Sequence, residues 1–179
     1  FKKDAERVSL KTVSLTGEPV TTMGGMRVVP DCVVDEIAVG ASSVLLLPGA
    51  DTWGEAKHGA IVERAREILA SGGIVCAICG ATVALADAGI LDARPHTSNG
   101  PGFLEMAAPG YKGKGFYVDE PAAADGNLIT AAGTGALSWA REIIGRLGVF
   151  SAYALDAWYA YFSTGKAEHF FALMKAVSR

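Results

Sequence analysis

An α/β domain built on a mostly parallel sheet is the fold that this sequence predicts. Three observations carry that reading. Apolar runs of strand length, such as Val44-Leu45-Leu46-Leu47 and Gly73-Ile74-Val75-Cys76-Ala77-Ile78, alternate with stretches of helical periodicity. Glycine and proline pairs punctuate the changes of pattern, as at Pro48-Gly49 and Gly72-Gly73. The 179 residues, half of them apolar, suit one domain with one buried core.

Along the chain, Val8 to Leu15 alternates apolar and polar residues and ends at Thr16-Gly17-Glu18-Pro19, which predicts a strand closed by a turn. Arg27 to Val34 is a short extended piece interrupted by Pro30. Ser43 to Leu47 stops at Pro48-Gly49 and reads as a central parallel strand buried on both faces. Residues 57 to 70 set Ile61, Ala65, Ile68 and Leu69 on one side of a helix and Glu63, Arg64, Arg66 and Glu67 on the other, and Gly72-Gly73 stops it. A strand over 74 to 78 runs into a helix over 80 to 88, which ends at Gly89. Asp125-Gly126 marks a tight turn before a strand over Asn127 to Thr130, and Ala136 to Leu147 reads as a helix. Beyond Ser151, residues 153 to 162 and 169 to 175 read as two short helices separated by Ser163-Thr164-Gly165. Their aromatic side chains predict a cap packed on the sheet or on a partner subunit.

Charge and composition exclude several classes of function. The net charge is -3 and no cluster of Lys and Arg occurs, so a nucleic-acid partner is not supported. No apolar run approaches the roughly 20 residues that cross a bilayer, and no signal peptide is visible, so no membrane role is expected. Three cysteines at 32, 76 and 79, an odd number without framework spacing, point to free thiols in a reducing compartment, the cytoplasm. Metal binding is disfavoured because no Cys and His residues show ligand spacing. No cofactor is expected.

The stretch "GGIVCAICGATVALADAG", residues 72 to 89, raises the chemical question. A buried strand leads directly into a helix with Cys79 at the junction and the small residues Gly80 and Ala81 behind it. Such a junction permits a sharp turn that lifts the cysteine out of the sheet as a nucleophile elbow. It also sets the sulfur beside the first N–H groups of a helix, where the aligned peptide dipoles favour thiolate over thiol. A small buried side chain explains the same letters. A redox pair with Cys76 does not, because three residues of strand hold the two Cα atoms roughly 10 Å apart, beyond the ~7 Å a disulfide spans.

"AICGATVALADAGILDARPHTSNG", with "LLLPGADTWGE" upstream and "YVDEPAAADGNLITAAGTGALSWAREIIGRLGV" downstream, resembles the DJ-1/PfpI family in its type 1 glutamine amidotransferase-like, or intracellular protease/amidase-like, branch. The resemblance runs over about residues 8 to 149 and extends in character to the aromatic tail at 151 to 179. It implies a flavodoxin-like three-layer sandwich with a C-terminal helical extension, Cys79 as the elbow nucleophile, and an anion pocket of backbone N–H groups near Gly49, Ala50 and Gly80. "PGA" stands where the family's loop is usually Pro-Gly-Gly, so a left-handed backbone at Ala50 would be strained. Members of the family usually begin with a strand and an acidic residue in the loop after it. This chain starts at Phe1-Lys2-Lys3-Asp4-Ala5-Glu6, read as the connection before the second strand. By that comparison one βα unit of roughly 20 to 30 residues is missing and the acid is unassigned; Glu18, in a turn, is not nominated. The histidine that relatives carry directly after the cysteine, or in the region of Lys112 to Phe116, is also absent.

His96, in "ARPHTSNG", is the candidate base, against a structural role in holding Thr97, Ser98 and nearby backbone. His58 and His169 read as surface residues. Asp51, Trp53 and Glu55 follow the Pro-Gly loop and could line the mouth of the pocket, with Asp51 alternatively capping a helix that begins there. Tyr111 and Tyr117 fit packing better than a pocket hydroxyl. Glu168-His169 lies on the tail outside the core, so the Cys-His-Glu triad of class I amidotransferase domains has no counterpart. The expected function is that of a cysteine-dependent amidase or hydrolase acting on a small-molecule or peptide substrate, as a homodimer. The alternatives are a thiol sensor or stress protein with an oxidisable Cys79, and glyoxalase-like chemistry on small dicarbonyls.

Overall fold

The computed structural model describes residues 8–178. The reading of Phe1 to Glu6 as a connection lies outside them. The chain begins with four two-residue strands, β1 (Val13–Ser14), β2 (Val20–Thr21), β3 (Arg27–Val28) and β4 (Cys32–Val33). Then follow β5 (Val44–Leu47), α1 (Gly59–Ala70), β6 (Ile74–Ile78), α2 (Ala81–Asp87) and α3 (Phe103–Ala107). The remainder comprises β7 (Ala122–Asp125), β8 (Leu128–Ala131), α4 (Ala136–Leu147), α5 (Ala152–Thr164) and α6 (Ala167–Val177).

The central sheet has the order β5-β6-β8-β7. β6 pairs in parallel with both β5 and β8, and β7 runs antiparallel to β8. Side chains alternate across this sheet as a pleat requires. Val75, Ala77 and Leu128 face one core cluster with Val62, Ala65 and Ile68 of α1 and Ala81 and Leu85 of α2. Cys76 and Ile129 face the other way, onto Ile143 and Trp139 of α4. Helices on both faces of a mostly parallel sheet make the three-layer sandwich, and strands covered on both faces explain why their sequences are continuously apolar.

Register decides where the loops emerge. Leu47 pairs with Ala77, and Ile78 pairs with Ala131, so β5, β6 and β8 end nearly level. The residues that follow them, Pro48-Gly49-Ala50, Cys79-Gly80 and Ala132-Gly133, therefore leave the sheet side by side at its carboxyl edge. That edge is where open α/β sheets hold their ligands.

Several sequence expectations are corrected at this level. The strand expected over 8 to 15 pairs only at Val13–Ser14, in parallel with β4, because its residues are largely exposed and Thr12 instead ties to the Asp31 carboxylate. Pro30 divides 27 to 34 into β3, which forms a hairpin with β2, and β4. The helix at 57 to 70 begins at Gly59 after a single 3-10 turn. β7 is a strand of Ala122, Ala123, Ala124 and Asp125, residues poor in strand propensity that are recruited by pairing with β8 across the Asp125-Gly126 turn. In the tail, Ser151 caps α5 by accepting from the Ala154 N–H at 3.2 Å, and Gly165 ends it in a left-handed conformation. α5 packs against α4 and α6 against α5, yet Tyr153, Phe162, Phe170, Phe171 and Met174 stay exposed. Among the described residues no helix is long and apolar enough to cross a membrane.

Candidate active site

Cys79 sits where β6 ends and α2 begins, with φ of 57°. Among the described residues it alone has a left-handed backbone without being glycine, a conformation that costs about 1–3 kcal/mol and survives only where neighbours enforce it. The neighbours are visible. The Cys79 N–H donates to the Ala131 carbonyl at 2.9 Å, extending the β6–β8 ladder one residue past its end. Its carbonyl accepts the Thr82 hydroxyl at 2.6 Å and the Thr82 N–H at 3.1 Å. Since the Thr82 proton is committed to that carbonyl, the Ser98 hydroxyl, 2.6 Å away, donates to Thr82 Oγ1.

Around the sulfur the walls are glycine. A Cβ at Gly49 would stand 3.0 Å from Cys79 Cβ and 3.5 Å from Sγ, and a Cβ at Gly133 would stand 3.1 Å from Sγ. A Cβ at Gly80 would run into the Ala50 carbonyl oxygen, so the elbow and the Pro-Gly loop approach as closely as backbones can. Ala50 itself does not adopt a positive φ; the strain that its replacement of glycine suggested is absent there and is borne by Cys79 instead. Among the described residues neither the Ala50 nor the Gly80 N–H is matched to an acceptor within the protein. Cys79 as a whole is half-buried.

Two residues the sequence reading did not single out complete this geometry. Asn99 places Nδ2 3.5 Å from Cys79 Sγ, and its Oδ1 accepts the Gly133 N–H at 2.9 Å. The polar letters of "HTSNG" carried no periodic signal, and Asn99 meets Cys79 only through the tertiary fold.

His96 is not placed as the expected base. Its imidazole is fully buried, with Nδ1 2.6 Å from the Arg94 carbonyl and Nε2 2.7 Å from the Tyr111 hydroxyl. A carbonyl only accepts, so Nδ1 carries the proton and Nε2 accepts from Tyr111, whose phenol burial pushes up to about 12 and keeps protonated. Both nitrogens are thus engaged away from Cys79. Thr97 and Ser98, which follow, are also buried: the Thr97 N–H donates to Thr130 Oγ1 at 2.9 Å and its hydroxyl to the Glu120 carbonyl at 2.8 Å. Tyr117 packs edge-on to His96 and its hydroxyl reaches the Ser98 carbonyl at 3.4 Å. The segment is a polar brace behind the elbow.

The remaining candidates are dispersed. Trp53 is buried and donates its indole N–H to the Pro48 carbonyl at 2.8 Å, which pins the Pro-Gly loop from behind. Asp51 is exposed and caps no helix, since the next helical turn begins at Ala56. Glu55 pairs with Lys57 at 2.6 Å on the surface, and that hydrogen bond lowers its carboxyl below the usual range. His58 is half-buried rather than on the surface, packed on the Trp53 ring at 5.2 Å. Cys76 is fully buried, and burial pushes its thiol up to about 12, so it stays neutral in the core. All three cysteines are free, and Cys32 and Cys79 are both half-buried. Among the described residues no three His, Cys, Asp or Glu side chains converge as metal ligands.

An α/β sandwich with a cysteine lifted on a strained strand-to-helix turn defines a class of folds, and similarity to known proteins identifies the member. The sequence pattern of the DJ-1/PfpI family matches residues 2–146, and the chain belongs to that family. It is 41% identical over 179 residues to the protein named uncharacterized protease YoaZ of Bacillus subtilis, covering all of this chain and 85% of that one. It is 31% identical over 140 residues to Protein dj-1beta of Drosophila melanogaster, covering 73% and 71% of the two chains. Among solved structures, a thiJ/pfpI family protein from Bacillus anthracis aligns with a TM-score of 0.89 at 46% identity, covering 92% of this chain and 77% of that one. A DJ-1 superfamily protein from Agrobacterium tumefaciens aligns with a TM-score of 0.77 at 32% identity, covering 93% and 87%.

The buried imidazole predicts a pH dependence of stability. Burial, the largest influence, holds the His96 pKa below its ordinary 6.5, against the opposing pull of the Arg94 carbonyl and of the Asp92 and Glu105 carboxylates. A histidine disfavoured as a cation in the native state binds fewer protons than it does in the unfolded chain at mildly acidic pH. Its contribution is therefore intact above about pH 6.5 and falls as pH drops from there toward the depressed native value. Unfolding free energies from urea titrations should decline below about pH 6.5, and His96→Gln should flatten that part of the decline. A slope unchanged by the substitution would contradict a neutral brace.

Proposed function

We propose that the protein is a cysteine-dependent hydrolase of the amidase type, with Cys79 as its nucleophile. The observation that carries this reading is the left-handed backbone at Cys79, a strain that packing alone does not need and that presents the sulfur at the carboxyl edge of the sheet. The thiolate attacks a substrate carbonyl carbon and forms a C–S bond, while the carbonyl π electrons move to oxygen. The unmatched N–H groups of Ala50 and Gly80 are suited to receive that oxyanion. Collapse of the intermediate re-forms the carbonyl and expels the amine, which takes a proton, and water then cleaves the thioester to release the acid and regenerate the thiol. His96 is engaged elsewhere, so these protons exchange with solvent at the half-buried Cys79. The word protease in the name of the Bacillus subtilis relative agrees with the hydrolytic class.

A second reading is favoured by one observation. Among the described residues no titratable side chain hydrogen-bonds to Cys79 Sγ. Reversible oxidation of the thiol needs none, so a thiol sensor or stress protein uses the same elbow without a base. The two readings separate in assays against panels of peptide amides, small amides and dicarbonyls. A hydrolase should release acid and amine, and Cys79→Ser should reduce turnover by at least about a thousandfold. Turnover that survives the substitution would remove the thiol from the mechanism, and conversion of dicarbonyls alone would move the activity to the glyoxalase class.

The protein is further proposed to act as a homodimer in the cytoplasm. Three free thiols support a reducing compartment. The aromatic face of α5 and α6, with Tyr153 and Phe162 each about three-fifths exposed and Phe171 two-thirds exposed, supports association through the tail. Sedimentation velocity at micromolar concentration should show a dimer, and Phe162→Ser with Phe171→Ser should convert it to a monomer. A wild-type monomer would refute the assembly.

A further inference from the structure

We propose that Asn99 is the positioning residue of Cys79, holding the sulfur in place and donating the hydrogen bond that stabilises its thiolate. The inference rests on the reading of Cys79 as the reactive group. The orientation of the carboxamide follows from its other contact. The Gly133 N–H can only donate, so the atom 2.9 Å from it is the amide oxygen, and the planar group then turns its NH2 toward Cys79 Sγ at 3.5 Å. Glycine at 133 is what allows this: a Cβ there would stand 3.1 Å from the sulfur and 3.5 Å from Asn99 Oδ1, in the space where the two meet.

The amide is also fixed from behind. Ser98 is tied to Thr82, and Thr82 to the Cys79 carbonyl, so the residue before Asn99 is linked directly to the elbow. Thr97 anchors the same segment to β8 through Thr130, and the His96 brace precedes it. Asn99 is the only side chain among the described residues that hydrogen-bonds to Cys79 Sγ. A carboxamide does not titrate, so the donor is present at every pH. The reactivity of Cys79 should then follow a single thiol ionisation, with no second limb from a histidine.

The test is the pH profile of Cys79 alkylation by iodoacetamide, with the modified residue identified by mass spectrometry. Wild type, Asn99→Asp and Asn99→Ala are compared from about pH 5 to 10. Asn99→Asp keeps the acceptor for Gly133 and replaces the donor with a carboxylate facing the sulfur. Its midpoint should rise by about one pH unit or more, slowing alkylation near pH 7 by about tenfold, while thermal stability changes little. Asn99→Ala removes the donor without adding charge and should shift the midpoint the same way by less. A residue that served only to tie the Gly133 loop would leave the Asn99→Ala midpoint in place, and that result, or an Asn99→Asp midpoint that does not rise despite the carboxylate facing the sulfur, would overturn the proposal. A wild-type Cys79 that is alkylated no faster than Cys32 would instead overturn the reading of Cys79 on which it rests.

Discussion

The left-handed turn at Cys79 is the constraint on which the rest of this site depends. A cysteine at φ of 57° relaxes unless its N–H, its carbonyl and its neighbours are all held. Here the N–H extends the β6–β8 ladder to Ala131, and the carbonyl is taken by Thr82. Close approach does the remainder. Gly80 lies against the Ala50 carbonyl, and Gly49 and Gly133 flank the sulfur, so three loops from three neighbouring strands meet at one atom. Each glycine gives up side-chain packing to let the backbones approach, and the common product is a cysteine held at the meeting point of the three loops.

The polar segment from His96 to Asn99 is the second half of that mount. Four consecutive residues each spend a side chain on the elbow or on the sheet behind it: His96 on Arg94 and Tyr111, Thr97 on Glu120, Ser98 on Thr82, and Asn99 on Gly133 and Cys79. Burying His96, Thr97 and Ser98 is tolerable because each finds a partner, and that satisfied network fixes one geometry beneath the exposed Asn99. The chemistry follows from the same fact. A histidine that holds the frame with both nitrogens is not also a base beside the sulfur, and the side-chain donor that faces the sulfur is the neutral Asn99 amide.

The layered fold was legible in the sequence wherever burial is uniform. Ile74 to Ile78 is covered on both faces, so its apolar run announced it, and the Gly72-Gly73 pair marked where α1 stops. Val44 to Leu47, read as a central strand buried on both faces, is instead at the end of the β5-β6-β8-β7 order with Leu46 exposed. The elbow was legible because a strand-length run ended in Cys79-Gly80 with no room for a loop. The outer pieces were not. β7 is built of alanines that pair only because β8 is beside them, and residues 8 to 12 look like a strand but find little to pair with. Membership of the DJ-1/PfpI family was readable from the motif around Cys79 and its flanking segments. The partners of the sulfur were hidden for a different reason: Asn99 is 20 residues from Cys79, and Gly133 is 34 from Asn99, so their meeting is a property of strand register rather than of any local pattern. His96 misled because a histidine near a nucleophile suggests a base, whereas its burial beside Tyr111 makes it a brace.

Whether Cys79 is a reactive thiol or a packing residue is decided most directly by mild oxidation of the intact protein. Treatment with sub-millimolar peroxide, followed by peptide mapping of oxygen addition at every cysteine and methionine, compares Cys79 with Cys32, which is likewise half-buried, and with Cys76, which is buried. Neither Cys79 nor Cys32 is sealed in the core, so a preference for Cys79 points to thiolate character. The account predicts sulfenic or sulfinic acid at Cys79 before any modification of Cys32. Oxidation of Cys32 or of the exposed methionines while Cys79 stays reduced would contradict it.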